Sequence, residues 1–351
     1  MVPIKMLEDM DKETIEAIIE SPEPTLDRDE TTIVYLDQKI WGQLHDGRHN
    51  SDSDYTEAYQ AIRDAVDTEE VICPYSFARF IETDVHRDGE FKREIYELMI
   101  DLSNNFCMRN YFDAIGAEIT AYLFKHIDIL PEIHPAERIF SRGIVEPYGR
   151  PRITTDGEPI DDEWKFHKFH RSEEGTRAVI RDIDFSEDVP DPRDEEERRE
   201  YVENIEAIRQ RYDEIDGSEE ERREQLIIES FRNDVVPGLS TTAMQFPMDL
   251  DLRYILAFDT AFRGFNDFFM QFPTYYAHLD LTLGRDFHRE RDIEANDLFD
   301  IMPLAVAIPY TDIVVTEDFF SGVAHRQDLP NRFGTTILTD AQDLAEHLTN
   351  L

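Results

Sequence analysis

Apolar residues recur along this chain with two periods, and the switch between them organises its reading. Thr31 to Asp37 (TTIVYLD) is a β-branched apolar run ending in an acid, which predicts a buried strand. AYQAIRDAV, within Thr56 to Val66, has helical spacing, and Val71 to Cys73 before Pro74 predicts a second short strand, completing a βαβ unit. A helix is expected from near Ser76, carrying Phe80 and Ile81. Another is expected from Phe91 to Leu102, with Ile95, Leu98, Met99 and Leu102 on one face.

From near Ile129 to about Glu290 strand signals fade and helical ones take over. Tyr201, Ile205, Ile208, Tyr212 and Ile215 alternate at spacings of four and three, which predicts one buried seam. Asp216-Gly217 breaks that helix, and Ser218 to Glu221 offers a capping box for the next. The Glu/Arg run in these helices reads as a solvated face. From Ala295 the early style returns: NDLFDIMPLAVAIPY at helical spacing, strands at Asp312 to Thr316 (DIVVT) and Thr335 to Thr339 (TTILT), then the closing helix DAQDLAEHL. Strands alternating with helices at both ends predict an α/β fold, a parallel sheet flanked by helices and interrupted by a mostly helical insertion. The expected organisation is a leader over residues 1–30, one half of the sheet domain over 31–128, the insertion over 129–290, and the second half over 291–351.

Composition changes this picture in one respect. The 351 residues carry 78 Asp+Glu against 36 Lys+Arg, a formal net charge of −42. The acids are scattered from end to end, and Arg heavily outnumbers Lys. That is the pattern of a halophilic protein, because in molar salt the Debye length falls to about 3 Å and self-repulsion is screened. A cation-rich partner is the alternative. Under the salt reading, net charge says little about substrate. With 40% hydrophobic residues and 23 Phe, the chain can bury a full core. Cys73 and Cys107 lie in apolar surroundings without CxxC spacing, so neither a disulfide framework nor a thiolate metal site is expected, and a reducing cytoplasm fits. The amino terminus lacks a secretion pattern. Ile301 to Tyr310 is interrupted by Pro303 and Pro309 and falls below the ~20 residues of a membrane span, so no membrane crossing is expected.

Candidate chemistry gathers at strand ends. Asp37 closes the first strand and Glu317-Asp318 follow DIVVT; in open α/β sheets the ligand crevice lies outside those carboxyl ends. Asp297 and Asp300, three apart at the head of a helix, share a face, and Glu82 lies one helix beyond the second strand. A lone Asp at a strand end is ordinarily a cap or turn residue. Jointly these acids point to a site. Carboxylates forced together raise one another's pKa unless a cation neutralises them, and hard oxygen ligands select Mg²⁺ or Mn²⁺. Such a centre lowers the pKa of a bound water and clamps a phosphodiester.

The segments IVYLDQKIWGQL, PYSFARFIET and NDLFDIMPLAVAIPYTDIVVTEDFF resemble the PIN-like nuclease superfamily. The last looks closest to PIN-like proteins sharing an ND-x-x-D helix, a PY-x-D turn and an acid after a V-V-T strand. The resemblance covers the two ends of the chain and leaves out the middle. It implies that Asp37, Glu82, Asp300 and one of Glu317 or Asp318 are the acidic, metal-binding and catalytic positions, with Asp297 beside them. The first motif departs from the family's Asp-x-Asn, since Gln38 and Lys39 follow Asp37. Lys39 is then a candidate phosphate contact or a surface residue. Thr316 is a further candidate substrate contact, as is Arg93, whose alternative is a structural salt bridge.

The expected function is a Mg²⁺- or Mn²⁺-dependent endoribonuclease acting on nucleic acid, with RNA favoured and a small antitoxin-like or helical protein as a candidate partner. The alternatives are a nucleic-acid-binding or regulatory module without useful catalysis, and a structure-specific DNA nuclease. Other chemistries lack their minimum signals. His167 and His170 have no acidic or Cys pair at zinc spacing. Lys39 stands where a haloacid-dehalogenase phosphatase needs a second Asp. GxxxxGK[ST], GxSxG and GxGxxG are all absent.

Overall fold

The first strand, β1 (Thr32–Leu36), divides its side chains between two hydrophobic cores, and the rest of the molecule is built on those two faces. The computed structural model describes residues 26–84, 88–126, 134–143, 154–155, 158–159, 163–182, 195–244, 267–286 and 297–350. Most of the expected leader lies outside them.

After β1 come α1 (Gln38–His49), α2 (Thr56–Asp67) and β2 (Val71–Ile72). Gly47 is needed where α1 turns into α2, because a Cβ there would sit 2.4 Å from the Tyr55 carbonyl oxygen. Cys73 and Pro74 kink the chain, and β3 (Tyr75–Ser76) continues it into α3 (Phe77–Asp84) and α4 (Gly89–Ser103). Next are β4 (Phe106–Met108), α5 (Tyr111–Lys125), α6 (Ala136–Ile139) and β5 (Phe140–Arg142). The pair β6 (Thr154–Thr155) and β7 (Glu158–Pro159) precedes α7 (Glu163–Arg171), α8 (Glu173–Asp182), α9 (Glu195–Glu214), α10 (Glu219–Ala243) and α11 (Pro273–Asp286). The chain closes with α12 (Asp297–Tyr310), β8 (Ile313–Val315), α13 (Asp318–Arg326), α14 (Leu329–Phe333), β9 (Thr336–Leu338) and α15 (Ala341–Thr349).

The principal sheet is parallel with order β2-β1-β8-β9, and β3 carries it on to β4, with β5 antiparallel at the edge. With β2 and β3 counted as one kinked strand, the parallel strands run third, second, first, fourth, fifth in chain order. Strand order therefore reverses between β1 and β8. Val34, Tyr35 and Leu36 pair with Ile313, Val314 and Val315, so Asp37 and Thr316 emerge side by side one residue past the last pair. The Asp37 amide donates to the Val315 carbonyl at 3.0 Å, which fixes that exit.

Ile33 and Tyr35 face a core filled by α5, α10, α11 and α12; Val34 and Leu36 face one filled by α1, α2, α4 and α15. A parallel sheet covered on both faces needs such near-continuous apolar strands. Residues of the 129–290 segment join both cores, Phe231 and Phe272 on one side and Phe169 and Val179 on the other. That segment also supplies β5, a strand that its weak local pattern did not announce. Within it, Ile205, Tyr212 and Ile215 of the expected seam are buried, and the capping box of Ser218 and Glu221 is formed.

Candidate active site

The reversal point between β1 and β8 is where a doubly wound sheet opens a crevice at the carboxyl ends of its strands. Asp37 sits there, 5% exposed, and has two duties. As the N-cap of α1 it accepts from the Gln38 amide through Oδ1 at 2.7 Å, satisfying an orphan donor of the first turn. Its Oδ2 accepts from Thr316 Oγ1 at 2.8 Å. The carboxylate is thereby locked in one orientation by the backbone of one strand end and the side chain of the next.

Arg79 is the centre of the arrangement and was missed in the sequence. Helix α3 starts directly from β3, which drives Arg79 inward with no exposed surface and puts Glu82 one turn later on the same face. Its Nη1 contacts Asp37 Oδ1 at 2.6 Å and also bonds Glu82 Oε2, while Nη2 lies 3.9 Å from Asp300 Oδ1. Burial works against the guanidinium's charge, yet Asp37 and Glu82 outweigh it and hold its pKa well above the ordinary value. Arg79 Nε and Nη2 have no hydrogen-bond partner among the described residues. The only sequence signal was an arginine in an otherwise apolar stretch, SFARFI, where an unpaired charge is costly.

Asp300, in the first turn of α12, completes the group. Burial, followed by the charges of Asp37, Glu82 and Glu317, pushes its carboxyl from 3.8 up to about 8, with Arg79 pulling the other way. Asp37, Glu82 and Asp300 thus share one arginine, and Asp300, the most distant of the three, is the least compensated. Among the described residues, no three carboxylates of this cluster bring ligand oxygens within a common 4.8 Å, since the guanidinium stands between them.

The other candidate positions fall out differently. Glu317 is half-buried at the N-cap position of α13 and acts on Asp300, whereas Asp318 is exposed in the first turn of that helix. Asp297 is a correction to the shared-face expectation: it is buried at 1% and turned towards Arg285, 3.7 Å away. Three residues apart on a helix is still about 60° of rotation, enough here to send the two acids to different arginines. Thr316 is a second correction, because at 1% exposure and bonded to Asp37 it orients the carboxylate and is closed to a substrate. Lys39 is exposed, its Nζ 3.4 Å from the Thr339 carbonyl oxygen. Arg93 is exposed on α4, and the guanidinium bonded to Asp37 and Glu82 belongs to Arg79 instead. His170 is buried, which lowers its pKa to about 4 and keeps it neutral, so it packs in the interior.

A cleft of about 310 Å³ is lined in part by Ala78 and Phe299, the chain neighbours of Arg79 and Asp300. Its wall carries Arg109, Asn110 and Phe112, the last 70% exposed. A large aromatic ring held out in a cleft is a stacking platform, and a nearby arginine complements an anion.

No protein-family model, curated protein or solved structure matches this chain. The site's own chemistry therefore has to carry the functional reading. Among the described residues, no helix is long and apolar enough to cross a membrane.

Proposed function

We propose that this protein is a PIN-like, divalent-metal-dependent phosphodiester hydrolase acting on single-stranded nucleic acid, RNA in the first instance. The observation that carries the reading is the meeting of Asp37, Glu82 and Asp300, from three distant segments, at the strand-order reversal of the sheet with more negative charge than Arg79 neutralises. The donor set fits Mg²⁺ or Mn²⁺, being all carboxylate oxygen, and Asp37, Glu82 and Asp300 with Glu317 would hold the ion. Such an ion supplies a water of lowered pKa and charge neutralisation at the phosphate.

The chain's own groups supply the rest. Thr316 and the Gln38 amide keep Asp37 from rotating, so its oxygens meet a cation already oriented. Asp300, near pH 8 without a cation, loses its proton when positive charge enters beside it. Arg79 limits the repulsion among the acids before that happens. Phe112 stacks a base and Arg109 meets the backbone in the cleft that they line.

One observation favours a second reading, a binding or regulatory module with little catalysis. Arg79 is fully buried and already bridges Asp37 and Glu82, the position a metal would claim. A single experiment separates the two: purified protein in molar KCl is incubated with labelled single-stranded RNA and DNA, with and without Mn²⁺, alongside Asp37→Asn and Asp300→Asn. Mn²⁺-dependent cleavage by the parent, lost in both variants, supports the hydrolase. Binding with no cleavage at any Mn²⁺ concentration supports the module.

A further inference from the structure

A second constellation lies at the other end of α1 and takes no part in the reading above. His45 and His49 lie near the C-terminal end of that helix, four residues apart and so on one face. Glu94 of α4 faces them: its Oε2 lies 2.8 Å from His45 Nε2, and its Oε1 3.7 Å from His49 Nδ1. Each carboxylate oxygen addresses one imidazole. One ligand atom from each of the three residues falls within 4.8 Å of the others, and among the described residues this is the one trio of His, Cys, Asp or Glu that converges so closely.

We propose that His45, His49 and Glu94 form a binding site for a divalent first-row transition metal, with Zn²⁺ as the reference ion. The donor set decides the class of ion. Two imidazole nitrogens and one carboxylate oxygen suit borderline ions such as Zn²⁺, Co²⁺ and Ni²⁺, whereas Mg²⁺ wants oxygen alone. The distances are close to those between the donor atoms around a bound metal. Tetrahedral Zn²⁺ with ligands at about 2.0–2.2 Å holds its donor atoms about 3.3–3.5 Å apart, between the two separations found here. Binding puts the metal in place of the hydrogen bond between His45 and Glu94, with each imidazole offering the lone pair of one ring nitrogen and Glu94 a carboxylate oxygen.

An ordinary histidine-carboxylate ion pair explains less. One carboxylate needs only one imidazole, yet two are stacked before it with ring centroids 4.6 Å apart. The scaffold is stiff where a chelate needs it. The His45 ring stands edge-on to Phe91 at 4.8 Å, while Ile40, Trp41 and Leu44 anchor α1 in the same core as Ile95, Leu98 and Met99 of α4. The entry is open, with side-chain exposures of 15% for His45, 30% for Glu94 and 39% for His49.

Three protein ligands leave at least one coordination position for water or an incoming group. The bound ion would pin the last turn of α1 to α4, a cross-link between two helices of one face. Eight residues of helix, about 12 Å, separate His45 from Asp37, so the two metal sites are independent in place as well as in donor chemistry.

The test uses the full chain, stripped by chelator and held in molar KCl, titrated with Co²⁺ and followed by its visible absorption, then by Zn²⁺ competition. The expected result is one equivalent of Co²⁺ giving a visible band that Zn²⁺ removes and excess Mg²⁺ leaves unchanged. His49→Ala and Glu94→Gln should each lose the band and weaken uptake by roughly 100-fold or more. Asp37→Asn and Asp300→Asn should keep it, so failure of this site and failure of the carboxylate centre are told apart. Circular dichroism establishes that each variant is folded, and the exposed His49 is the substitution least able to disturb the core. Co²⁺ uptake by both His49→Ala and Glu94→Gln at parental affinity, or no uptake by the folded parent, would overturn the assignment.

Discussion

Replacing Asp300 by Asn removes one charge from the carboxylate centre and keeps the side chain's shape, so its consequence can be worked from the raised pKa. In the unfolded chain the carboxyl ionises near 3.8; in the fold it holds its proton to about 8. Its stabilising contribution is therefore fully present below pH 3.8 and is lost as pH rises through 8, since over that window the folded state binds a proton the unfolded state has released. At about 1.4 kcal/mol for each pH unit, the ceiling is about 6 kcal/mol. The side chain is 24% exposed and reaches water and Arg79, which reduces the realistic loss to about 2 kcal/mol. Unfolding entropy of about 2.1 cal/mol/K per residue over 351 residues converts this to roughly 3 °C in Tm. Thermal melts of parent and Asp300→Asn from pH 5 to 9, in molar KCl without divalent ions, should diverge, with the parent falling below the variant as pH passes 7 to 8. Other buried acids, such as Glu118, titrate equally in both proteins and cancel in the difference. Adding Mn²⁺ should raise the parent's Tm most at pH above 8, where Asp300 is already ionised, and less at lower pH, where binding must first displace its proton; it should leave the variant nearly unmoved. Parallel pH curves would refute the strained carboxyl, and an undiminished Mn²⁺ shift in Asp300→Asn would remove the proposed ion from this centre.

Four further outcomes are expected. Arg79→Met leaves Asp37 and Glu82 without their shared counter-ion and should destabilise the metal-free protein by about 3–5 kcal/mol, with Mn²⁺ recovering part of the loss, as chemical denaturation with and without the ion will show. Thr316→Val removes the bond that orients Asp37, so a stability loss of about 1 kcal/mol should accompany weaker Mn²⁺ binding by calorimetry; unchanged binding would make the threonine merely structural. Phe112→Ala, at a 70% exposed position, should leave Tm unchanged while weakening single-stranded RNA binding by about 1–3 kcal/mol in a fluorescence titration. Tm should climb with KCl into the molar range because screening relieves a formal charge of −42, and a steady fall from dilute buffer upward would return attention to a cationic partner.

What the sequence determined by itself is local and periodic. The runs that became β1 and β8 are legible because a parallel strand buried on both faces must be apolar nearly throughout, and the half-buried edge strand β9 is legible from its β-branched run. The helix pair around Gly217 is legible because its capping box and its buried positions repeat at the helical period. Asp37 and the acids near α12 and α13 could be singled out because strand ends are where such sheets bind ligands. Only the tertiary structure decided which of them meet. Asp300 turns to Arg79 and Asp297 to Arg285, a choice made by partners on α3 and α11 that helical spacing cannot see. The strand β5, paired with β4, and the kink that splits β2 from β3 depend on neighbours distant in the chain. Arg79 itself looked like one basic residue among 36, and its meaning came from being buried between acids that lie 42 residues before it and 221 after it in chain order, counting from Asp37 and to Asp300. Sequence sets the periodicity of burial, which is a local property of side chains. The charge balance of a site depends on distances through space, and those exist only once the chain has folded.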